Sequence, residues 1–184
     1  MSNAFPKHNL ETAPEKSKPL LKQLLEQSGP NAFYSVTAES PETLAAYAML
    51  HKAFMASSFT NEEKTVIWQS INVKNQCHFC VPAHTYMAKT MKIDQSVSDA
   101  LRDETALPTA RREASRDFTL LMLRNDGNAM EAEISKFLSA GYTHQNMLEV
   151  VLGLAQKTIS NYVNHLARTP VDKQYKKYAW NKVE

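Results

Sequence analysis

The residues of this sequence best suited to chemistry lie in one stretch, Cys77-His78-Phe79-Cys80-Val81-Pro82-Ala83-His84. Cys77, Cys80 and His84 are spaced i, i+3 and i+7, so a helix carries all three on one face with Cys80 and His84 one turn apart. Two thiols at that spacing can close a small disulfide ring. A helix N-terminus stabilises a thiolate, and a histidine one turn on can accept the thiol proton. Pro82 sets the register: inside a helix it costs about 3 kcal/mol, whereas the first turn tolerates it. Regular helix is therefore expected to begin close to Cys80, with Cys77 in the turn before. Cys77, nearer the point where the chain arrives, is expected to be the more exposed thiol and the target of an outside reductant. Cys80 is expected to be the protected nucleophile. In the cycle that follows, the Cys80 thiolate attacks a peroxide O–O bond, the sulfenic acid condenses with Cys77, and a partner dithiol restores the pair by exchange.

Other readings of the same residues stay open. A close cysteine pair can be a buried structural pair. Zinc could be held by Cys77, Cys80, His84 and His78, although closed structural zinc wants four ligands and no second CxxC or HxxxH pair supports it. Covalent haem attachment needs a histidine directly after the second cysteine, where Val81 stands.

The elements that must position this stretch read as helices throughout. Leu20, Leu21, Leu24 and Leu25 make an apolar stripe over about 19–27, ended by Gly29-Pro30. Ser40 caps a helix to about Ser57, with Pro41 in its first turn and Glu42 at the positive end of the dipole. Thr60-Asn61-Glu62-Glu63 is a capping box ahead of a helix to about Val73. After a break at 74–76 comes the cysteine helix. Asp94 or Ser96 caps a short helix to about Asp103, and Pro108 or Thr109 opens another that ends near Asn125-Asp126-Gly127. A further helix spans 129–140 with Gly141 beyond its end. Thr143 caps a long helix to about Ala167, and a last short one covers about 172–180. No segment alternates with period two over a strand length, so the fold class is all-α, a single-domain multi-helix bundle. Residues 1–18 read as an N-terminal arm, 19–184 as one helical domain, and about 60–166 as its redox core.

Composition narrows the function further. The chain has 184 residues, 43% hydrophobic and 22% charged, with only four glycines, which argues against a glycine-rich phosphate loop. A net charge of +2 with no long basic block leaves no electrostatic footprint for nucleic acid. No run of about 18 apolar residues reads as a membrane span, and Met1–Lys18 lacks an apolar signal core. The expected setting is the cytoplasm, where a close cysteine pair is catalytic or metal-binding more often than a structural staple.

These residues resemble the alkylhydroperoxidase D and carboxymuconolactone decarboxylase superfamily. The likeness runs from about Thr60 to Leu166. It rests on Asn75-Gln76-Cys77 through His84, then on Ser139-Ala140-Gly141-Tyr142-Thr143 and Leu148-Glu149-Val150-Val151-Leu152. Asn161-Tyr162-Val163-Asn164-His165 with Thr169-Pro170-Val171-Asp172 is similar to the tail of the longer members. The resemblance implies an all-α fold assembled as homodimers, trimers or trimer-based hexamers. It also implies reduction of alkyl hydroperoxides, with Cys80 peroxidatic, Cys77 resolving and His84 in a proton relay. The reductant it implies is a dithiol, lipoylated or thioredoxin-like; no cofactor or metal is expected. Two positions depart from the family pattern. The relay glutamate belongs twelve residues before the first cysteine, where this chain has Thr65. Glu62 and Glu63 are the nearest carboxylates, Glu63 also reading as a capping residue. Before the second cysteine stands Phe79, with His78 displaced by one.

Other residues read more plainly. His165 is a candidate to approach the cysteines from the long helix. His51 reads as ordinary, Trp68 and Tyr86 as core or interface, Met87, Met91, Met122 and Met147 as core filler, and Arg111, Arg112 and Arg116 as a solvated face. Against the peroxidase reading stand a carboxymuconolactone decarboxylase-type lyase, which needs no cysteine pair, and a non-catalytic redox- or metal-responsive binding protein.

Overall fold

In the computed structural model, which describes residues 4–182, short polar side chains start the helices as their chemistry requires. The first three positions of the expected arm and the last two of the chain lie outside the described residues. Ser40, Thr60, Thr109 and Thr143 each accept the backbone N–H three residues on, and Asp94 accepts that of Ser96. Thr60 and Glu63 form the reciprocal capping box, Glu63 accepting the Thr60 N–H at 3.0 Å.

The described residues form nine α-helices and no strand: α1 (Lys18–Ser28), α2 (Ala32–Thr37), α3 (Pro41–Met55), α4 (Asn61–Lys74), α5 (Cys80–Thr90), α6 (Gln95–Arg102), α7 (Ala110–Arg124), α8 (Glu131–Ser139) and α9 (His144–Ala167). The all-α expectation holds. Helix α4 is the axis of the molecule, buried without interruption from Glu63 to Val73, with α5, α6, α7 and α9 packed around it. Helix α3 lies along α9. Gly153 permits that approach: a Cβ there would sit 2.8 Å from Phe54 and 3.2 Å from Ile67. Helix α5 begins at Cys80, so Pro82 occupies its first turn, where its missing N–H costs nothing.

Three segments differ from the sequence reading. The expected arm is folded onto the body: Ala13 and Ser17 are buried, and Ser17 Oγ donates to the Ala38 carbonyl at 2.6 Å. Helix α2 was not anticipated between Pro30 and Ser40. It is held by tertiary contacts, with Phe33, Tyr34 and Val36 buried, Asn31 capping it and the Asp172 carboxylate accepting the Ala32 N–H at 3.0 Å. The last expected helix shrinks to turns and one 3-10 turn, Lys176–Tyr178. There the Arg102 guanidinium takes the carbonyls of Tyr178 and Ala179, and Trp180 Nε1 donates back to the Arg102 carbonyl.

Candidate active site

The break between α4 and α5 sets the cysteines. Gln76 adopts a left-handed backbone (φ 51°), and the Cys77 N–H returns to the Asn72 carbonyl at 3.0 Å. This tucks the Cys77 side chain inward. Both thiols are free and buried, Cys77 at 0% exposure and Cys80 at 2%. The expectation of an exposed Cys77 is therefore overturned, because the same turn that separates the helices folds it under the core. Its sulfur accepts the Cys80 backbone N–H at 3.2 Å.

Cys80 is the sulfur that meets open space. It lines a cleft of about 430 Å³ together with His51, His84, Lys157 and Asn164, whereas Cys77 is not among the lining residues. The walls are aromatic: Phe33, Tyr34, Tyr47, Phe79, Tyr86 and Tyr175. From α9, Asn161 and Asn164 donate their Nδ2 groups to Cys80 Sγ at 3.1 and 3.3 Å. Asn161 is itself fixed, donating to Asn72 Oδ1 at 3.0 Å and accepting from Asn75 at 2.9 Å. Asn72 donates to Gln69, whose amide reaches the Val81 carbonyl and the Thr85 hydroxyl on α5. A buried amide chain thus ties α4, α5 and α9 around the thiol, every link positioned by the next.

A second buried chain runs alongside. Lys157 Nζ, with Lys157 only 1% exposed, donates to His84 Nε2 at 2.9 Å. The Trp68 ring meets His84 edge-on at 5.0 Å, and its Nε1 donates to Gln156 Oε1 at 2.8 Å. The Gln156 amide reaches His51 Nδ1 at 3.0 Å and the Tyr47 hydroxyl at 3.4 Å.

The electrostatics separate the two sulfurs. Burial alone would raise the Cys80 thiol. The hydrogen bond with Cys77, the Lys157 charge and the two asparagine amides outweigh it and bring Cys80 below the usual thiol range. Burial pushes Cys77 well up, and negative charge on Cys80 adds to that. The pair is therefore a thiolate at Cys80 backed by a thiol at Cys77. Burial, then Lys157, hold His51 down to about 4, and burial with Lys157 and His51 holds His84 well below its ordinary value. Both imidazoles are neutral near neutral pH. Burial also lowers Lys157, while Cys80 and Cys77 act the other way.

The remaining candidates lie elsewhere. Glu62 pairs with Arg112, and Glu63 binds Arg111 at 2.9 Å besides its capping role, so both carboxylates turn to α7; the arginines expected to form a solvated face are thus engaged in ion pairs, Arg116 with Glu113. Thr65 is buried and its hydroxyl donates to the Asn61 carbonyl at 2.9 Å. His78 is exposed and bonds the Thr169 carbonyl at 2.9 Å; His165 meets its ring edge-on at 6.4 Å. His165 thus reaches His78, and the α9 groups that reach Cys80 are Asn161 and Asn164. Among the described residues, no group of three or more His, Cys, Asp or Glu side chains is arranged to hold a metal. Sequence reasoning missed Lys157 and Gln156 and took His51 as ordinary. The available signal was register: Val150, Gly153, Lys157, Asn161 and Asn164 recur on one buried face of α9.

The architecture defines a class. The chain has the alkylhydroperoxidase D-like fold, shared with solved structures of low sequence identity. An alkylhydroperoxidase AhpD core, an uncharacterized peroxidase-related protein from Ralstonia eutropha JMP134, superposes with a TM-score of 0.82 at 20% identity, covering 93% of each chain. A peroxidase-related protein from Silicibacter sp. TM1040 gives 0.77 at 20% identity over 93% of this chain and 91% of that one. The debrominase Bmp8, solved in complex with 2,3,4-tribromopyrrole, gives 0.74 at 15% identity over 96% of each chain. No family model matches the sequence, and no curated protein matches it.

Proposed function

We propose that this protein is a thiol-dependent oxidoreductase that reduces organic hydroperoxides through a Cys80/Cys77 dithiol–disulfide cycle, in antioxidant defence. The observation that carries the reading is the placement of Cys80: its sulfur faces an aromatic cleft, is favoured as a thiolate by Lys157, Asn161 and Asn164, and has Cys77 directly behind it. The Cys80 thiolate attacks the distal peroxide oxygen, the O–O bond breaks, and the alkoxide leaves as alcohol once protonated. The Cys77 thiol then attacks the sulfenic sulfur, forming the disulfide and releasing water. Two electrons pass from the two sulfurs to the peroxide. A dithiol reductant, lipoylated or thioredoxin-like, restores the pair, and Cys80 is the sulfur it meets through the cleft. The cycle suits a reducing compartment such as the cytoplasm. Among the described residues, no helix is long and apolar enough to cross a membrane.

Cys80→Ser is expected to abolish peroxide consumption, and Cys77→Ser to consume one equivalent and stop as a sulfenic acid that dimedone labels. Wild-type turnover by Cys80→Ser would overturn the reading.

The cleft favours a second substrate class, small halogenated aromatics, because its walls are aromatic and none of its described lining residues is Asp or Glu. There the thiolate would take the halogen as a sulfenyl halide. The aryl carbanion would take a proton, and Cys77 would displace halide to give the same disulfide. Halide release in step with thiol loss tests it.

Self-association is part of the same proposal. Leu148, Val151, Tyr162 and Leu166 lie exposed along one face of α9.

A further inference from the structure

The chain has Thr65 where the pattern it resembles has a relay carboxylate, and the cleft holds a buried cation to which the cycle above assigns no proton transfer. We infer that Lys157 is the general acid of this site: its ammonium protonates the oxygen that leaves when Cys80 attacks, and His84 holds it in place for that transfer. The inference rests on the thiol–peroxide reading and assigns the proton that reading requires.

Three observations carry it. The first is position: Lys157 lines the same cleft as Cys80 while being 1% exposed. The second is the company it keeps. A buried ammonium is costly unless an anion compensates it. Its hydrogen bond goes to a neutral imidazole, His84 Nε2 at 2.9 Å, and none of the described cleft-lining residues is Asp or Glu. The groups that interact with it are His84 and Cys80 from α5, Cys77 from the preceding turn and His51 from α3, and Tyr47 lines the same cleft. Helix α4 packs on the same helix α9, and its Trp68 ring lies edge-on to His84. The compensating anion is thus the Cys80 thiolate, so the cation is built for the reacting sulfur. The third is orientation. By accepting a hydrogen bond from the Lys157 ammonium at Nε2, His84 fixes the amine and has no free Nε2 lone pair with which to act as the base for Cys80.

The protons balance. Cys80–S⁻, Lys157–NH₃⁺ and ROOH give Cys80–SOH, Lys157–NH₂ and ROH. Cys77–SH and Cys80–SOH then give the disulfide and water. Reduction by a dithiol returns two protons, one to Cys77 and one to the Lys157–Cys80 pair.

The test uses the full chain and Lys157→Met, with Lys157→Arg as the conservative variant and thermal unfolding as the check on folding. The primary readout needs no peroxide: the pH at half-maximal alkylation of Cys80 by iodoacetamide, followed by peptide mass. Loss of the cation is expected to raise that midpoint by about one pH unit or more, and Lys157→Arg to restore at least half of the shift. Peroxide turnover is expected to fall by about 100-fold in Lys157→Met, as for other general acids, and its alkaline decline to disappear. Should Lys157→Met fail to fold, Lys157→Arg carries the test through its own alkaline limb, which must move upward with the higher basicity of guanidinium. A folded Lys157→Met with the wild-type alkylation midpoint and pH–rate profile overturns the inference, as does a Lys157→Arg whose alkaline limb stays in place. If Cys80→Ser retains turnover, the thiol reading fails instead, and the alkylation midpoint still reports on Lys157.

Discussion

Asn161 Nδ2 lies 3.1 Å from Cys80 Sγ, although the two residues are 81 positions apart in the chain. The contact joins the long helix α9 to the start of α5, and it is one of the interactions that favour the thiolate. Asn161→Leu removes it and also strips partners from Asn72 and Asn75. Leaving such groups buried and unpaired costs about 1–3 kcal/mol. The variant is expected to unfold at lower denaturant concentration and to need about one pH unit more for Cys80 alkylation. Asn164→Leu makes the contrast. Asn164 Oδ1 is already buried without a hydrogen-bond partner, so this change should weaken the thiolate with a smaller loss of stability. Equal stability losses in the two variants would refute the assigned difference.

How much of this was legible in advance follows from where each signal resides. Caps are local chemistry, so Ser40, Thr60 and Thr143 marked their helix starts from sequence, Asp94 and Thr109 were each one of two candidates, and Pro82 placed the start of α5 close to Cys80. The spacing of Cys77, Cys80 and His84 was equally local. What failed depended on tertiary neighbours. Cys77 lost its expected exposure to a left-handed turn at Gln76 that nothing in residue type announces, since glutamine has no preference for it. Lysine on a long helix is ordinarily solvated. Lys157 is buried because α9 presents that face to α3, α4 and α5 together. Glu63 read correctly as a cap, but its second partner, Arg111, comes from a helix whose position the sequence leaves open.

Glu63 supplies a pH dependence of stability separate from the thiol chemistry. Burial would raise its carboxyl, but the Thr60 backbone N–H, Arg111, the Thr60 hydroxyl and Tyr142 hold it below the ordinary value of 4.5. A carboxylate whose value is lowered by folding adds stability above its unfolded value and loses it as pH falls through the folded one. Arg111 is half exposed, so solvent screens the pair and the contribution is about 1 kcal/mol. Glu63→Gln is therefore expected to lower the melting temperature by a few degrees near neutral pH, with the gap from wild type closing below about pH 4. Peroxide turnover should be unaffected, because this carboxylate faces α7. A gap that widens on acidification would contradict the assignment, and a loss of turnover in the folded variant would return Glu63 to the relay.

The exposed stripe on α9 sets a last expectation, on assembly. Leu148 is 73% exposed, Tyr162 61% and Leu166 70%, and helical spacing places them on one face. Burying a side chain of this size is worth about 1.5–3 kcal/mol, and a two-fold interface counts each one twice. Three such residues per copy are enough to offset the cost of association, whereas a carboxylate in the middle of the stripe would have to be desolvated against its own symmetry mate. The wild-type protein is therefore expected to self-associate at micromolar concentration in light scattering. Tyr162→Glu combined with Leu166→Glu should give a monomer with unchanged helical circular dichroism, since both side chains point away from the core. Their neighbours on the opposite face, Asn161 and Asn164, hold Cys80, so alkylation of the monomeric variant shows whether assembly also steadies the thiol. A wild-type chain that is monomeric across that range would remove the stripe as an interface between copies.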